Sequence, residues 1–270
     1  MLKTRILTAS ILACLLWSGL FLLPPRWCAL GFGAVFTVAA WEWAGFAALS
    51  STPARAAYAS CIALIMLLGW LWSFEPLHLL ILLGAAFGWW LIALLWLSKV
   101  LARPRPALVL FCGVPVLVPA FAALARLVTT VHGFGSGPQA VLWLVLLVVS
   151  ADIGAYFAGR NFGRHKMAPR VSPGKTWEGA AGGLLVVALV AWGGAVHFGL
   201  PPLLTVAFGL AVGVFSIIGD LTESMFKRAA GLKDSGVLLP GHGGLLDRID
   251  SVTAAAPLYA LGLFGSGVIA

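Results

Sequence analysis

Apolar runs of about 20 residues recur along the whole chain, and that is the length a helix needs to cross the hydrocarbon of a bilayer. Nine such runs are read, near 5–23, 27–49, 57–73, 77–98, 107–126, 139–158, 178–198, 202–220 and 251–269. Pro24-Pro25, Pro104, Pro106 and Pro201-Pro202 stand at their borders, where a missing N–H and a fixed φ suit the entry or exit of a helix. Composition agrees: 10% of the 270 residues are charged and 61% are apolar, against about 25% and about 45–50% in a soluble domain. So few charges cannot cover a water-facing surface. A soluble enzyme, a secreted disulfide scaffold and a disordered chain are thereby excluded. The formal charge of +8 does not point to nucleic acid either, because the basic residues punctuate apolar runs instead of lining one face. The expected fold is all-α, a polytopic membrane protein of about nine transmembrane helices.

Charge gives this topology a direction. If nine spans alternate, 15 of the 17 Lys and Arg residues fall on one side of the membrane, and only Arg26 and Arg126 on the other. Cytoplasmic loops are enriched in Lys and Arg, so the N-terminus and the even-numbered loops are expected inside. Lys3 and Arg5 precede an apolar stretch but no small-x-small cleavage site comes before Pro24, so the first run reads as a span and not a leader. Cys14, Cys28, Cys61 and Cys112 all lie in apolar runs without CxxC spacing, as small hydrophobes do.

The nine carboxylates are distributed unevenly. Only Glu42 and Glu75 precede position 152; the others are Asp152, Glu178, Asp220, Glu223, Asp234, Asp247 and Asp250. The chain therefore divides into an apolar scaffold, 1–138, and a region bearing polar chemistry, 139–270. Asp152 ends a strongly apolar run, where an ionisable group is a functional candidate by default. In the eighth loop, a helix continued past Asp220 would place Asp220, Glu223, Ser224 and Lys227 on one face. Asp220, Asp247, Asp250 and Asp152 offer hard oxygens of the kind that suit Mg²⁺, with no thiol or paired-histidine set to favour zinc. Gly241-His242-Gly243-Gly244 supplies a backbone that phosphate oxygens can approach closely. Lys227, Arg228, Lys233 and Arg248 can neutralise phosphate charge. A second polar loop carries Ser172, Lys175 and Thr176 into the seventh helix, whose N-terminus favours anions. Its Gly174-Lys175-Thr176 triplet is not a P-loop, because Pro169 stands where that motif needs glycine. Metal-binding carboxylates, a glycine loop and a basic cluster together point to phosphoryl or nucleotidyl transfer.

The stretch Ser224-Met225-Phe226-Lys227-Arg228, Lys233-Asp234-Ser235-Gly236 and Leu239-Pro240-Gly241-His242-Gly243-Gly244-Leu245-Leu246-Asp247-Arg248-Ile249-Asp250 resembles the signature of the phosphatidate cytidylyltransferases, or CDP-diacylglycerol synthases. Asp152 to Arg160 and Ser172 to Gly179 also look like that family's motifs, except that Ile153 stands where Thr is expected and Gly174 where a second basic residue is common. The motif resemblance spans about residues 150–251. It implies that CTP and phosphatidic acid combine to give CDP-diacylglycerol and pyrophosphate, with Mg²⁺ required. In that reaction Asp220, Asp247 and Asp250 would hold metal, with Asp152 as a further ligand or an anchor for one of the basic residues. Lys227, Arg228, Lys233 and Arg248 would hold the two anions together, and His242 would donate to phosphate or protonate pyrophosphate. Ser172, Lys175, Thr176, Ser224, Asp234, Gly241, Gly243 and Gly244 would line the substrates. The expected setting is a bacterial-type inner membrane with the active site cytoplasmic, among membrane lipids, without nucleic acid. The Gly-rich ninth run (Gly262, Gly265, Gly267) suits packing within the chain or onto a second copy as a homodimer.

Plainer roles stand beside these. Glu223 four residues before Lys227 is an ordinary helix-surface pair, Glu178 in the first turn of a helix favours its positive end, and Glu42 reads as a structural acid, buried or in a helix–helix hydrogen bond, before it reads as a lipid-site residue. Arg160, Arg164, Lys166 and Arg170 serve topology and headgroup anchoring. Two other functions fit parts of the pattern: a CTP-dependent kinase of a polyprenol-type lipid alcohol, and a transporter. A transporter spreads polar residues through several spans, whereas here they gather toward one face.

Overall fold

Proline and glycine punctuation sets the helix ends almost where the apolar runs place them. The computed structural model describes residues 2–97, 104–130, 135–239, 241 and 243–266. Among the described residues nine α-helices follow in order: α1 (Leu2–Leu22), α2 (Pro25–Phe46), α3 (Thr52–Trp72), α4 (Pro76–Leu97), α5 (Pro106–Thr130), α6 (Gly137–Phe162), α7 (Trp177–Phe198), α8 (Pro202–Ala229) and α9 (Asp250–Gly265). Pro25, Pro76, Pro106 and Pro202 each open a helix, where no intrahelical donor is lost. Ser51 caps α3 by accepting from Ala54 N at 3.4 Å, and Gly199, at φ 65°, closes α7 in the left-handed conformation. By length and apolarity, seven of the nine, α2 to α8, are able to cross a membrane, and the chain is an integral membrane protein. The parts of the charge pattern at Lys99 and Arg103, and Gly267 of the ninth run, lie outside the described residues.

α5 is the hub. It packs against α2, α3, α4, α6 and α9, and nearly all of its residues from Val116 to Val128 are buried. Large side chains fill the bundle: Phe36, Trp43, Trp90, Phe226 and Tyr259 are all essentially inaccessible. Trp43 Nε1 donates to Val109 O at 2.8 Å and Tyr58 OH to Leu110 O at 2.9 Å, tying α2 and α3 to the first turns of α5. The outward faces carry Leu67, Leu71, Leu91, Leu95, Leu185, Leu189, Trp192 and Leu203, all exposed, as a lipid-facing wall requires.

α6 and α7 make the closest helix pair, and small residues are the reason. A Cβ on Gly154 would meet the Gly182 carbonyl at 2.8 Å, and one on Gly183 would meet the Ala151 carbonyl at 2.6 Å. The backbones come this close because Gly154, Gly179, Gly182 and Gly183 put nothing between them. Between these helices the chain leaves helical structure: β1 (Lys166–Ala168) and β2 (Ser172–Thr176) pair antiparallel, Lys166 opposite Thr176 and Ala168 opposite Ser172. This hairpin was not foreseen from the sequence. In the ninth run, Gly262 lies against the Phe208 ring of α8, so that part of the small-residue stripe is spent inside the chain.

Candidate functional site

The ends of α2, α6 and α8, the hairpin, and the start of α9 meet at one end of the bundle. α8 runs nine residues past Asp220, so Asp220, Ser224 and Lys227 share a face as the spacing requires. Ser224 Oγ donates to Asp220 Oδ1 at 3.3 Å. Lys175, brought in by β2, forms an ion pair with Asp220 Oδ2. That contact joins the two polar loops, which lie more than forty residues apart in the chain. Next to it is a cavity of about 220 Å³ lined by Asp152, Tyr156, Gly159, Met167, Gly174, Lys175, Thr176 and Ile217, among others. Asp152 is accessible through this cavity and lies within electrostatic reach of Asp220, Lys175 and Arg248.

Two turns past Asp220 along α8, Lys227 is buried between two carboxylates. Its Nζ lies 2.6 Å from Asp247 Oδ1 and 3.3 Å from Glu223 Oε1. Asp247 in turn accepts, through Oδ2, from Ser235 N at 2.9 Å and Gly244 N at 2.8 Å. Burial opposes ionisation of Asp247, but the hydrogen bond from Lys227, the Gly244 amide, the ammonium charge and the Ser235 amide outweigh it and hold its carboxyl below the usual range. Gly243 adopts φ 84° and Gly241 φ 77°, a left-handed backbone that glycine reaches without strain. Leu239 N donates to Gly243 O at 2.9 Å, closing the loop tip. Asp234 sits beside Gly243, and Lys233 is exposed on the approach. His242 lies outside the described residues.

Several expected contact residues are already engaged with the chain. Thr176 Oγ1 accepts from Gly179 N at 3.1 Å, capping α7. Arg228 donates to Val171 O at 3.3 Å and Leu232 O at 3.1 Å, fastening the hairpin to the end of α8. Glu178 accepts from the backbone of Arg164 and His165, and its Oε1 lies 2.6 Å from His165 Nδ1, so it ties the start of the hairpin loop to α7. Ser172 pairs in β2, and Arg248 is exposed at the rim. Sequence reasoning favoured a structural role for Glu42 over a lipid-site one and named no partner. Its carboxylate accepts from Ser235 Oγ, Leu245 N and Leu246 N. No local signal could have named them, since they lie about two hundred residues away.

The donor set fits a hard divalent cation. Asp250 lies within electrostatic reach of Asp220 and Glu223, and both Glu223 carboxylate oxygens are sealed from solvent. Among the described residues no three acidic, His or Cys side chains are grouped so that they could hold a metal ion by themselves.

The sequence profile of the cytidylyltransferase family matches residues 3–264. A phosphatidate cytidylyltransferase of Pseudomonas aeruginosa is 43% identical, over 99% of this chain and 98% of its own. One of Haemophilus influenzae is 39% identical, over 96% and 98%. One of Brucella suis is 51% identical over 138 residues, 48% of each chain.

Proposed function

This chain belongs to the cytidylyltransferase family, and from that premise we propose how its own residues carry the transfer of a cytidylyl group from CTP to phosphatidic acid, giving CDP-diacylglycerol and pyrophosphate. A phosphate oxygen of phosphatidate attacks the α-phosphorus of CTP; a new P–O bond forms as the α–β bridge breaks, and pyrophosphate leaves with the bond electrons. The acceptor is already an anion, so the site's task is to hold two polyanions in line and to offset their repulsion. The observation that carries this reading is the Lys175–Asp220 contact beside the cavity lined by Asp152. It places a basic strand end and a carboxylate-bearing helix around one space of a size that admits phosphate groups.

In this reading Lys175, Lys227, Lys233 and Arg248 neutralise the phosphates, and the backbone at Gly241 and Gly243 approaches them. Arg228 keeps the hairpin on α8, so Gly174 and Lys175 stay at the cavity. Asp247 orients Lys227 and the loop. Asp220, with Asp152, Asp250 and Glu223 near it, would hold Mg²⁺, which supplies charge stabilisation for the nucleotide phosphates and the departing pyrophosphate. The site faces the cytoplasm of a bacterial inner membrane, where CTP is found, and lipid reaches it from the surrounding leaflet.

Purified protein given CTP labelled at the α-phosphorus is expected to move label into lipid only when phosphatidic acid and Mg²⁺ are both present, with one pyrophosphate released per label. Label remaining in CDP after addition of a polyprenol would instead mark a kinase. Near-normal turnover by Asp220→Asn and Asp247→Asn, at equal protein in the membrane, would overturn the residue assignment.

A further inference from the structure

Glu42 belongs to the apolar half of the chain, yet every hydrogen bond its carboxylate makes goes to the polar loop between α8 and α9. It is 4% exposed. Leu246 N donates to Oε2 at 2.8 Å, Ser235 Oγ to Oε2 at 3.0 Å, and Leu245 N to Oε1 at 3.1 Å. A carboxylate buried in a membrane bundle is costly, and three donors aimed at it offset that cost. The approach is possible because Gly236 and Gly244 lack side chains: a Cβ on either would collide with the Glu42 carboxylate.

The residues Glu42 holds are those on which Asp247 depends. Ser235 gives its hydroxyl to Glu42 and its amide to Asp247; Gly244, packed on Glu42, gives its amide to Asp247 as well. Asp247 then holds Lys227 at 2.6 Å. We infer that Glu42 is a positioning residue for the cytidylyl transfer: from α2 it fixes Ser235, Gly244, Leu245 and Leu246 so that Asp247 keeps Lys227 aligned in the site. This rests on the functional reading above. A carboxylate is required and an amide does not suffice, because Leu245 and Leu246 donate to different oxygens, and glutamine would turn an NH₂ toward one of those N–H groups.

The test uses the full-length protein in nanodiscs containing phosphatidic acid, comparing wild type, Glu42→Gln and Ser235→Ala by steady-state kinetics and by amide hydrogen exchange. Misalignment without loss of a substrate contact lowers kcat more than it changes KM. Glu42→Gln is expected to lose about 10- to 100-fold in kcat, as small misplacements in a site do, with KM for CTP changed less than about threefold. Amides in 235–246 should exchange faster while those of α2, α5 and α8 keep wild-type protection. Ser235→Ala, which deletes one of the three donors, should shift both readouts the same way by less, and it carries the test if Glu42→Gln does not yield folded protein. Wild-type kcat in both variants, or a kcat loss accompanied by lost protection throughout α2 and α5, would overturn the inference and leave Glu42 as a fold-stabilising acid. Absence of turnover in the wild type would instead strike the functional reading, which the variant-to-wild-type ratio does not test.

Discussion

Lys227 carries two carboxylates on one ammonium, and its environment tells what its loss does. Its side chain and those of Glu223 and Asp247 are all less than 10% accessible, so removing the cation leaves two buried anions facing one another. Lys227→Met is expected to destabilise the folded protein by about 3–5 kcal/mol, the usual cost of breaking a buried pair by removing one partner. Activity should fall by about 10²- to 10³-fold, the scale for deleting one preorganised charge stabiliser. Lys227→Arg keeps the charge but brings a planar fork to a position shaped for a point donor, so stability should return more fully than activity. Thermal melts and label transfer on the same detergent preparation separate the two. Asp247 adds a pH dependence whose sign follows from its depressed pKa. Its contribution is complete above its unfolded pKa, about 3.9, and is lost as pH falls through the lower folded value. Exchange protection of 235–246 should therefore stay flat from pH 8 to about 5 and collapse only below about pH 4.

The α6–α7 pair controls where the hairpin sits, and its tightness is a property of glycine placement along two helices. Gly183 has the Ala151 carbonyl where a Cβ would go, whereas Gly193, ten residues along the same helix, has nothing within 4 Å. Gly183→Val should wedge the helices apart and cost about 1–3 kcal/mol, the range for overpacking, with activity falling as Lys175 and Asp152 separate. Gly193→Ala should be neutral or slightly stabilising, since it raises helix propensity on an open face. Melting temperatures of the two variants in one detergent decide this. The helices themselves were readable: long apolar runs and border prolines act locally, so among the described residues the runs and the helices agree to within about five residues, except that α8 continues nine residues past Asp220, as the one-face spacing of its polar residues requires. The hairpin was not readable. Its strands are three and five residues long, β2 contains Pro173 and Gly174, and pairing is secured by tertiary contacts such as Arg228 to Val171 O and Glu178 to His165 N that no local pattern records.

At the scale of the molecule, the apolar half is not a passive wall. Residues 1–138 supply Glu42, and Trp43 beside it packs on Phe226 of α8 with ring centroids 5.1 Å apart, so α2 joins α4 and α5 in packing the scaffold onto the polar region. The charge-bearing half was legible from where the carboxylates gather; the dependence of that half on Glu42 was not, since the partners are separated by 193 to 204 positions. The placement of Glu42 also tests the topology. Glu42 lies four residues before the end of α2 and bonds the α8–α9 loop, so those two chain ends share one membrane side. An alternating arrangement with the N-terminus inside puts both in the cytoplasm, together with the hairpin, and puts the α3–α4 turn outside. Val237, 96% exposed, and Glu75, in the exposed α3–α4 turn, report on the two sides. In a background with the four cysteines replaced, Val237→Cys is expected to react with a membrane-impermeant maleimide in inside-out vesicles and to be protected in right-side-out spheroplasts. Glu75→Cys should show the reverse. Labelling of both from the same side would break the alternation, and labelling with the sides exchanged would turn the protein over and put its polar end out of reach of cytoplasmic CTP.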